Sequence, residues 1–305
     1  MKKARLSFTI LELVIVMTIT GIIVGSTFQM FMNIYISYSN IYLMNSLDMK
    51  LLNSSMKVVK YIENRVRGSL IDSNQTDFNP LSGNYLLDRN QSLQWVGIAS
   101  DTYLGSWKSS ENQIISNWSG FVDLNLNHNN KTIYLDKTDF SQAEEIIYNL
   151  SKGEVNISNP NSSNPAIFFK GGMGNSKNGF GWKESINGDL NSSEYAFIGY
   201  FSDNKFLSSN QVIGFENSVK ELKIYEQYYL SWSAYGLKVE TDNNLSLYWN
   251  YRPWNGENME KDGEKITLLQ DVTTFKYGSN GSSITLEICI KSIDEIVFCR
   301  ESLIY

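Results

Sequence analysis

Histidine and cysteine are scarce in this chain, and each shortage excludes a class of function. The 305 residues hold one histidine and two cysteines. The histidine, His128, lies in a run of polar residues, which is typical of a solvated loop and excludes most histidine-dependent catalysis. Cys289 and Cys299 are too few for a disulfide scaffold and lack the spacing of a metal site. We therefore predict no catalytic residue, no metal site and no cofactor.

Proline and positive charge are also in short supply. The chain has four prolines, and 42% of its residues are hydrophobic and 13% aromatic, which favours a folded body over a disordered tail. Its formal net charge is −6. Broad electrostatic binding of nucleic acid requires a basic surface, so we expect no direct nucleic-acid binding.

The N-terminus joins a short basic segment to a long apolar run. Lys2, Lys3 and Arg5 precede the run, and no charged residue occurs over 13–47. As a helix, residues 8–28 would rise about 30 Å, which matches the hydrocarbon core of a bilayer. The basic flank is predicted to stay in the cytoplasm, so the rest of the chain would face outwards.

Glu12 is the one carboxylate inside this apolar stretch. A removable signal peptide or an ordinary signal anchor would explain the basic flank and the apolar run. Neither explains Glu12, because a carboxylate in a membrane span costs about 2.5–3.5 kcal/mol on insertion scales and needs a partner. The run is also longer than the roughly 7–15 apolar residues of a signal peptide.

The residues around Glu12 resemble the cleavage and methylation motif of type IV prepilins and type II secretion pseudopilins. Residues 7–13 read Ser-Phe-Thr-Ile-Leu-Glu-Leu. In that family a small residue, usually glycine, precedes the cleaved bond, a phenylalanine follows it, and a glutamate is fifth in the mature chain. Phe8 and Glu12 match two of these positions, and Ser7 replaces the usual glycine.

The resemblance implies a role for each of these residues. A prepilin peptidase would cut between Ser7 and Phe8, and Phe8 would be N-methylated. The new α-amine of one subunit would pair with the Glu12 carboxylate of its neighbour. Such a pair selects the register of assembly because an unpaired buried charge is costly. Gly21 and Gly25 form a Gly-x-x-x-Gly step that would let helices approach closely.

The helical pattern continues beyond the membrane. Apolar residues recur at helical spacing to residue 66, and Gly68 supplies a stop. We predict one helix over 8–67, about 90 Å long. Over 28–45, packing on neighbouring subunits is the expected role of its aromatic stripe. After about residue 50, packing in the subunit's own core is expected.

The remainder has the signals of short strands and loops. The clearest β-prone segments are 94–98, 132–135, 166–169 and 195–200. The predicted fold is α+β, with a long N-terminal transmembrane and amphipathic helix packed on an antiparallel β-sheet body, as the pilin-like resemblance implies. The predicted divisions are a leader (1–7), the helix (8–67, with 8–28 in the membrane) and an outward-facing globular body (68–305).

The C-terminus predicts three consecutive strands and a disulfide. The strands are 266–277, 283–291 and 295–305, and the middle one alternates apolar and polar residues. A three-residue turn at 293–295 would set Cys289 opposite Cys299 and Ile290 opposite Phe298. An oxidising periplasm favours the bond over two free thiols.

A modification motif also points outwards. Asn-x-Ser/Thr occurs eleven times, and five of the asparagines follow an acidic residue by two positions. With 32 acidic residues in 305, chance predicts about one. The five are Asn74, Asn90, Asn156, Asn191 and Asn244. The extended pattern resembles the acceptor of bacterial periplasmic N-glycosylation. Biased composition is the alternative explanation.

Taken together, these features predict a minor pseudopilin, a structural subunit of a type II secretion-type pseudopilus, and not an enzyme. The large body fits a minor rather than a major subunit. Expected partners are a prepilin peptidase, other pseudopilin or pilin subunits and inner-membrane lipid. The expected location is the inner membrane, crossed once, with the body in the periplasm or on the filament. The alternatives are a minor pilin of a type IV pilus or DNA-uptake apparatus, and an anchored periplasmic enzyme or binding protein.

Overall fold

The long N-terminal helix and the β-rich remainder are the two main parts of the structure. The computed structural model describes residues 9–74, 78–81, 83–86, 91–103, 106–108, 113–115, 117–126, 131–135, 138–170, 180–182, 196–209, 225–280, 283–292 and 295–305. The chain divides into two compact units, residues 1–50 and 51–305. The helix supplies the described part of the first unit and continues into the second.

Helix α1 runs from Ile10 to Glu63. No proline interrupts it, so its backbone hydrogen bonds continue through 54 residues. It ends before the predicted boundary because the next residues pair with another segment. Val66 N–H donates to the Val96 carbonyl and Ile98 N–H donates to the Asn64 carbonyl, both at 2.8 Å.

Among the described residues, α1 is followed by short strands, two further α-helices and two 3-10 turns, Ser100–Thr102 and Pro253–Asn255. The strands are β1 (Ile71–Ser73), β2 (Phe78–Pro80), β3 (Gly83–Leu86), β4 (Ser92–Val96), β5 (Ser106–Lys108), β6 (Gln113–Ile115), β7 (Thr132–Tyr134), β8 (Ala166–Phe169), β9 (Phe197–Ser202), β10 (Lys205–Ser208), β11 (Tyr228–Ser231), β12 (Ala234–Val239), β13 (Leu245–Tyr251), β14 (Glu264–Leu269), β15 (Val272–Ser279), β16 (Ile284–Lys291) and β17 (Val297–Ile304). The helices are α2 (Ser141–Leu150) and α3 (Met259–Asp262). The four β-prone segments predicted before residue 201 correspond to β4, β7, β8 and β9, with bounds shifted by at most two residues.

Within the described residues, the strands form four sheets, and every pairing is antiparallel. The six-stranded sheet has the order β14-β13-β12-β4-β1-β2, and the five-stranded sheet has the order β11-β8-β9-β10-β7. A four-stranded sheet, β17-β16-β15-β3, and the β5–β6 pair complete the set. The fold is therefore α+β: a long apolar helix and antiparallel sheets.

Strand β8 is buried on both faces, which explains its uninterrupted apolar sequence. Ile167 and Phe169 belong to a core cluster that also takes Ile147 from α2. Their neighbours Ala166 and Phe168 belong to a second cluster, which draws on the six-stranded sheet. The five-stranded sheet therefore contributes to both clusters.

The prediction of one strand over 266–277 was wrong. Strands β14 and β15 divide that stretch, and they belong to different sheets. Asp271, between them, has φ 57°, a left-handed conformation that an extended strand does not use. The chain turns there and passes from the six-stranded sheet to the four-stranded sheet.

The predicted register of the last two strands is confirmed. Cys289 lies opposite Cys299, and Ile290 lies opposite Phe298. Apolar residues of β16 are buried, while its terminal Lys291 is exposed. The alternating sequence and the short turn together placed the strand correctly, because a one-residue slip would turn the apolar set to the other face.

The last part of α1 packs into the β-rich unit. Its buried residues are Leu51, Ser54, Ser55, Val58 and Ile62. These positions recur every three or four residues and so share one helix face. The Ser54 hydroxyl donates to the Leu268 carbonyl at 3.0 Å, and the Ser55 and Ser302 hydroxyl oxygens lie 2.9 Å apart. Strands β14 and β17 therefore both contact this helix face.

Candidate assembly site

The first turn of α1 forms a capping box. Thr9 and Glu12 fit the Thr-x-x-Glu spacing of that motif. The Thr9 hydroxyl accepts from the Glu12 backbone N–H at 3.4 Å. In return, a Glu12 carboxylate oxygen accepts from the Thr9 backbone N–H, and also from its hydroxyl, each at 3.1 Å. Sequence reasoning noted Glu12 but missed Thr9, although this spacing was the available signal.

The Glu12 carboxylate uses only one of its oxygens for this cap. Both bonds from Thr9 go to Oε2. Among the described residues, Oε1 accepts no hydrogen bond. The carboxylate can therefore satisfy its own helix end and still offer an oxygen to an external cation.

Residues 10–50 of α1 expose apolar side chains over nearly their whole surface. By length and composition, the helix is capable of crossing a bilayer, with a mean hydropathy of 2.1 over its most apolar 18-residue window. None of that window is buried against other described residues. The structure thus bears out the coarse prediction of a membrane-compatible N-terminal helix.

Four hydroxyl groups in the more N-terminal part of this apolar segment bond to the helix itself. Those of Thr18, Thr20, Ser26 and Thr27 donate to backbone carbonyls three or four residues earlier. A polar side chain that bonds its own helix exposes no unpaired group to hydrocarbon. Apart from the adjoining helix backbone, a Cβ added at Gly21 or Gly25 would meet no described atom within 4 Å, so space for close helix approach is present there.

An aromatic stripe continues past the length that a bilayer core needs. Phe31, Tyr35, Tyr38 and Tyr42 are 71%, 69%, 68% and 66% exposed. A span of about 20 residues fills the hydrocarbon core, and a helix starting at Ile10 reaches that length before Phe31. These rings consequently lie beyond the expected lipid span and outside the described protein core.

Cys289 and Cys299 form a disulfide that joins β16 to β17. Their sulfur atoms are 2.10 Å apart. Glu287 brings a carboxylate close to both sulfurs. Disulfide sulfurs are not thiolates, so this group of three does not have the donor set of a metal site. The disulfide holds β17 in the sheet beside β16.

Three of the five candidate glycosylation asparagines fall in described positions. Asn74 follows β1, Asn156 lies between α2 and β8, and Asn244 precedes β13. Asn90 and Asn191 lie outside the described residues. The same is true of Ser7, Phe8 and His128.

Asp72, two residues before Asn74, is 6% exposed. The Tyr277 hydroxyl donates to its carboxylate at 2.5 Å. Burial raises the pKa of Asp72 above its usual value, and the hydrogen bonds from Tyr277 and from the Ser73 backbone partly oppose that rise. The Asp72 carboxylate therefore lies inside the body, where it is hydrogen-bonded to Tyr277.

A buried arginine forms a polar network that the sequence did not reveal. Arg252 is 3% exposed, and its Nη2 lies 2.8 Å from a carboxylate oxygen of Glu154 and of Glu257. Its Nε also donates to Glu257, and its Nη1 donates to Asn250. Asn250 and Glu257 are two and five positions from Arg252, whereas Glu154 is 98 positions away, so no local spacing indicates the link to Glu154. A fully paired buried guanidinium of this kind links segments and does not indicate catalysis.

Comparisons with known proteins supply no relative for this chain. No family model, no curated protein and no solved structure matches it. Arguments about function therefore rest on the residues and the geometry described above.

Proposed function

We propose that the chain is a minor pseudopilin, a structural subunit that assembles through α1 into a type II secretion-type pseudopilus. The observation that carries the proposal is a long, exposed, apolar helix in which Glu12, near the N-terminal end, is the one carboxylate before Asp48. The sequence motif around Glu12 supports the same assignment. On this proposal the basic N-terminus is cytoplasmic and the body lies in the periplasm or on the filament.

The length of the exposed region supports protein partners in addition to lipid. Residues 10–50 would extend about 60 Å as a helix, twice the hydrocarbon thickness of a bilayer. The surplus carries the exposed aromatic stripe at Phe31, Tyr35, Tyr38 and Tyr42. Large exposed apolar patches indicate protein–protein or membrane contact. Helices of other pilin-like subunits are the partners that would cover this stretch.

Glu12 has the chemistry that register selection requires. No described residue donates to its Oε1, which can therefore accept a hydrogen bond from another subunit. Leader cleavage before Phe8 would create an α-amine on each neighbouring subunit. A cation against this oxygen would form a charge-assisted hydrogen bond. Registers that leave the buried carboxylate unpaired would be disfavoured.

The proposal is tested by replacing the carboxylate. We expect Glu12→Ala to insert into the membrane normally but to co-purify with filament subunits at least about a hundredfold less, since removing one partner of a buried pair costs about 3–5 kcal/mol. Glu63→Ala, at the other end of the same helix, is the matched control and should assemble as the wild type does. Equal recovery of Glu12→Ala and wild type would refute the assembly role.

Mass spectrometry of the mature N-terminus tests the family assignment directly. A chain that starts at N-methylated Phe8 is the expected product. Any other start would remove the basis for the pseudopilin proposal.

A minor pilin of a type IV pilus or DNA-uptake apparatus would use the same helix and the same carboxylate. Deletion of the gene separates the two machines. Loss of exoprotein release favours the pseudopilus, whereas loss of transformation with normal secretion favours the uptake apparatus. The net charge of −6 favours the pseudopilus, because direct contact with DNA requires a basic surface.

A further inference from the structure

The five acidic Asn-x-Ser/Thr motifs are equivalent as sequence, but the fold makes the described ones unequal. An enzyme that reads this pattern must reach three groups: the carboxylate two positions before the asparagine, the side-chain amide, and the hydroxyl two positions after it. The burial of those groups that the structure describes therefore ranks Asn74, Asn156 and Asn244 as acceptors.

The Asn156 motif presents all three groups on one surface. Glu154 and Ser158 are exposed and Asn156 is half-buried, while Val155 and Ile157 are fully buried. This alternation turns the two apolar side chains inwards and the three recognition groups outwards. The segment lies between α2 and β8, where it forms turns rather than strand or helix.

The atom that would receive the glycan is the side-chain amide nitrogen of Asn156. Asn156 Oδ1 accepts the backbone N–H of Ser158 at 3.0 Å. Within the described part of the chain, Asn156 Nδ2 donates no hydrogen bond. Glu154 binds Arg252 through Oε2, yet half of its side chain remains exposed. The Ser158 hydroxyl donates to Glu144 in an exposed contact at 2.8 Å.

The other two motifs each have a required group inside the fold. At Asn244, the hydroxyl of Ser246 lies in the interior strand β13 and is 2% exposed. The Asn244 amide nitrogen also donates to Asp242 at 2.7 Å. At Asn74, the acidic residue is Asp72, whose buried carboxylate is bonded by Tyr277.

We propose that, among the motifs whose asparagine the structure describes, Asn156 is the N-glycosylation acceptor of the folded body. The donor is an oligosaccharide linked through pyrophosphate to a membrane lipid, and the catalyst is an oligosaccharyltransferase that requires an acidic residue two positions before the asparagine. Nδ2 forms a bond to the anomeric carbon, and the bond from that carbon to the pyrophosphate oxygen breaks. The lipid pyrophosphate leaves with the electron pair, and the amide loses one proton to a base of the transferase. In the cell the reaction rests on the outward-facing body of the proposed function.

The test uses the purified, full-length, folded protein in detergent with a purified transferase of this class and its lipid-linked donor. Glycopeptide mass spectrometry should find Asn156 occupied and Asn244 at least tenfold less occupied. In urea-unfolded, reduced chain, occupancy at Asn244 should rise to that at Asn156. Because no membrane topology is involved, this result is independent of the pseudopilin proposal.

Variants identify the groups that are read. Asn156→Gln and Ser158→Ala should abolish the glycan, whereas Ser158→Thr should keep it. Glu154→Gln should lower occupancy at least tenfold, while Glu145→Gln, an exposed change on α2, should leave it unaltered. Thermal unfolding is measured for each variant, and a variant that is still folded at the assay temperature separates loss of recognition from loss of fold. This control matters most for Glu154→Gln, because Glu154 also pairs with buried Arg252.

Two outcomes would overturn the proposal. One is modification of Asn156 only after unfolding, because the exposed face would then not be the substrate. The other is equal occupancy of Asn156 and Asn244 in the folded protein, because the burial of Ser246 would then not matter.

Discussion

The two parts of α1 share one continuous backbone but are stabilised in different ways. Over residues 10–50 the apolar side chains are exposed, and the hydroxyl groups of Thr18, Thr20, Ser26 and Thr27 bond to the helix's own carbonyls. Over residues 51–63 one face is buried, and Ser54 and Ser55 bond to the sheets. Both parts of the helix are rich in apolar residues. They differ in the partners of their hydroxyl groups, which are the helix's own carbonyls in the exposed part and the sheets in the buried part.

The largest expected effect comes from truncating one isoleucine in each part. Ile62 is fully buried, so Ile62→Ala should lower the free energy of unfolding of the β-rich unit by about 2–5 kcal/mol. Ile22 is 73% exposed, so Ile22→Ala should change it by less than about 0.5 kcal/mol. All seven tryptophans lie beyond residue 50, so denaturant unfolding followed by tryptophan fluorescence reports this unit. Equal losses of unfolding free energy in the two variants would show that the two parts of α1 do not differ in their contribution to the β-rich unit.

The disulfide should have the next largest effect, because it secures the strand that Ser55 contacts. Replacing both Cys289 and Cys299 with serine should cost about 2–3 kcal/mol, given their sequence separation of 10. Thermal unfolding provides the measurement. A reductant should destabilise the wild type to the same extent and leave the double variant unchanged. A reductant-sensitive double variant would contradict the assignment.

A change at the N-terminal cap of α1 should weaken only the first turn of the helix. Thr9→Ala removes the hydroxyl that bonds Glu12 and should weaken the first turn by about 1 kcal/mol. Thr9→Ser retains the hydroxyl and is the control. Hydrogen exchange of the amides at residues 10–12 in detergent micelles should become faster in Thr9→Ala only. Identical exchange in both variants would show that the cap contributes nothing there.

The smallest effect is expected at Asp72, whose carboxylate is buried in the body. Because burial raises its pKa, protonated Asp72 supports folding most at acidic pH, and this support is lost as the pH rises through the raised pKa. Asp72→Asn keeps an oxygen that can accept from Tyr277 but cannot ionise. The variant should therefore gain stability relative to the wild type between acidic and neutral pH, as measured by urea unfolding. A pH-independent difference would argue against a buried ionisable Asp72.

Local spacing was sufficient to predict the elements that depend on nearby residues. The absence of charge over 13–47 and the absence of proline predicted α1, and alternation in β16 predicted its register with β17. Four internal strands also followed from runs of β-prone residues. In each case the signal and the structure it determines lie within a few residues of one another.

Features that depend on distant residues could not be found in this way. The prediction of one strand over 266–277 failed because the left-handed conformation of Asp271 is imposed by the two sheets that meet there. The Glu154 partner of Arg252 is 98 positions away in the chain, and the burial of Ser246 depends on the strands to either side of β13. The capping box at Thr9 and Glu12 is different, since its local signal was present and was missed.

The contact between Ser55 and Ser302 sets an order of events during synthesis. The two residues are 247 positions apart. The helix face that carries Ser55 is made first, and its contact with β17 cannot form until Ser302 has been synthesised. The nascent protein therefore exposes this part of the helix face while the intervening residues are made, and a contact between such distant positions is expected to form late in folding.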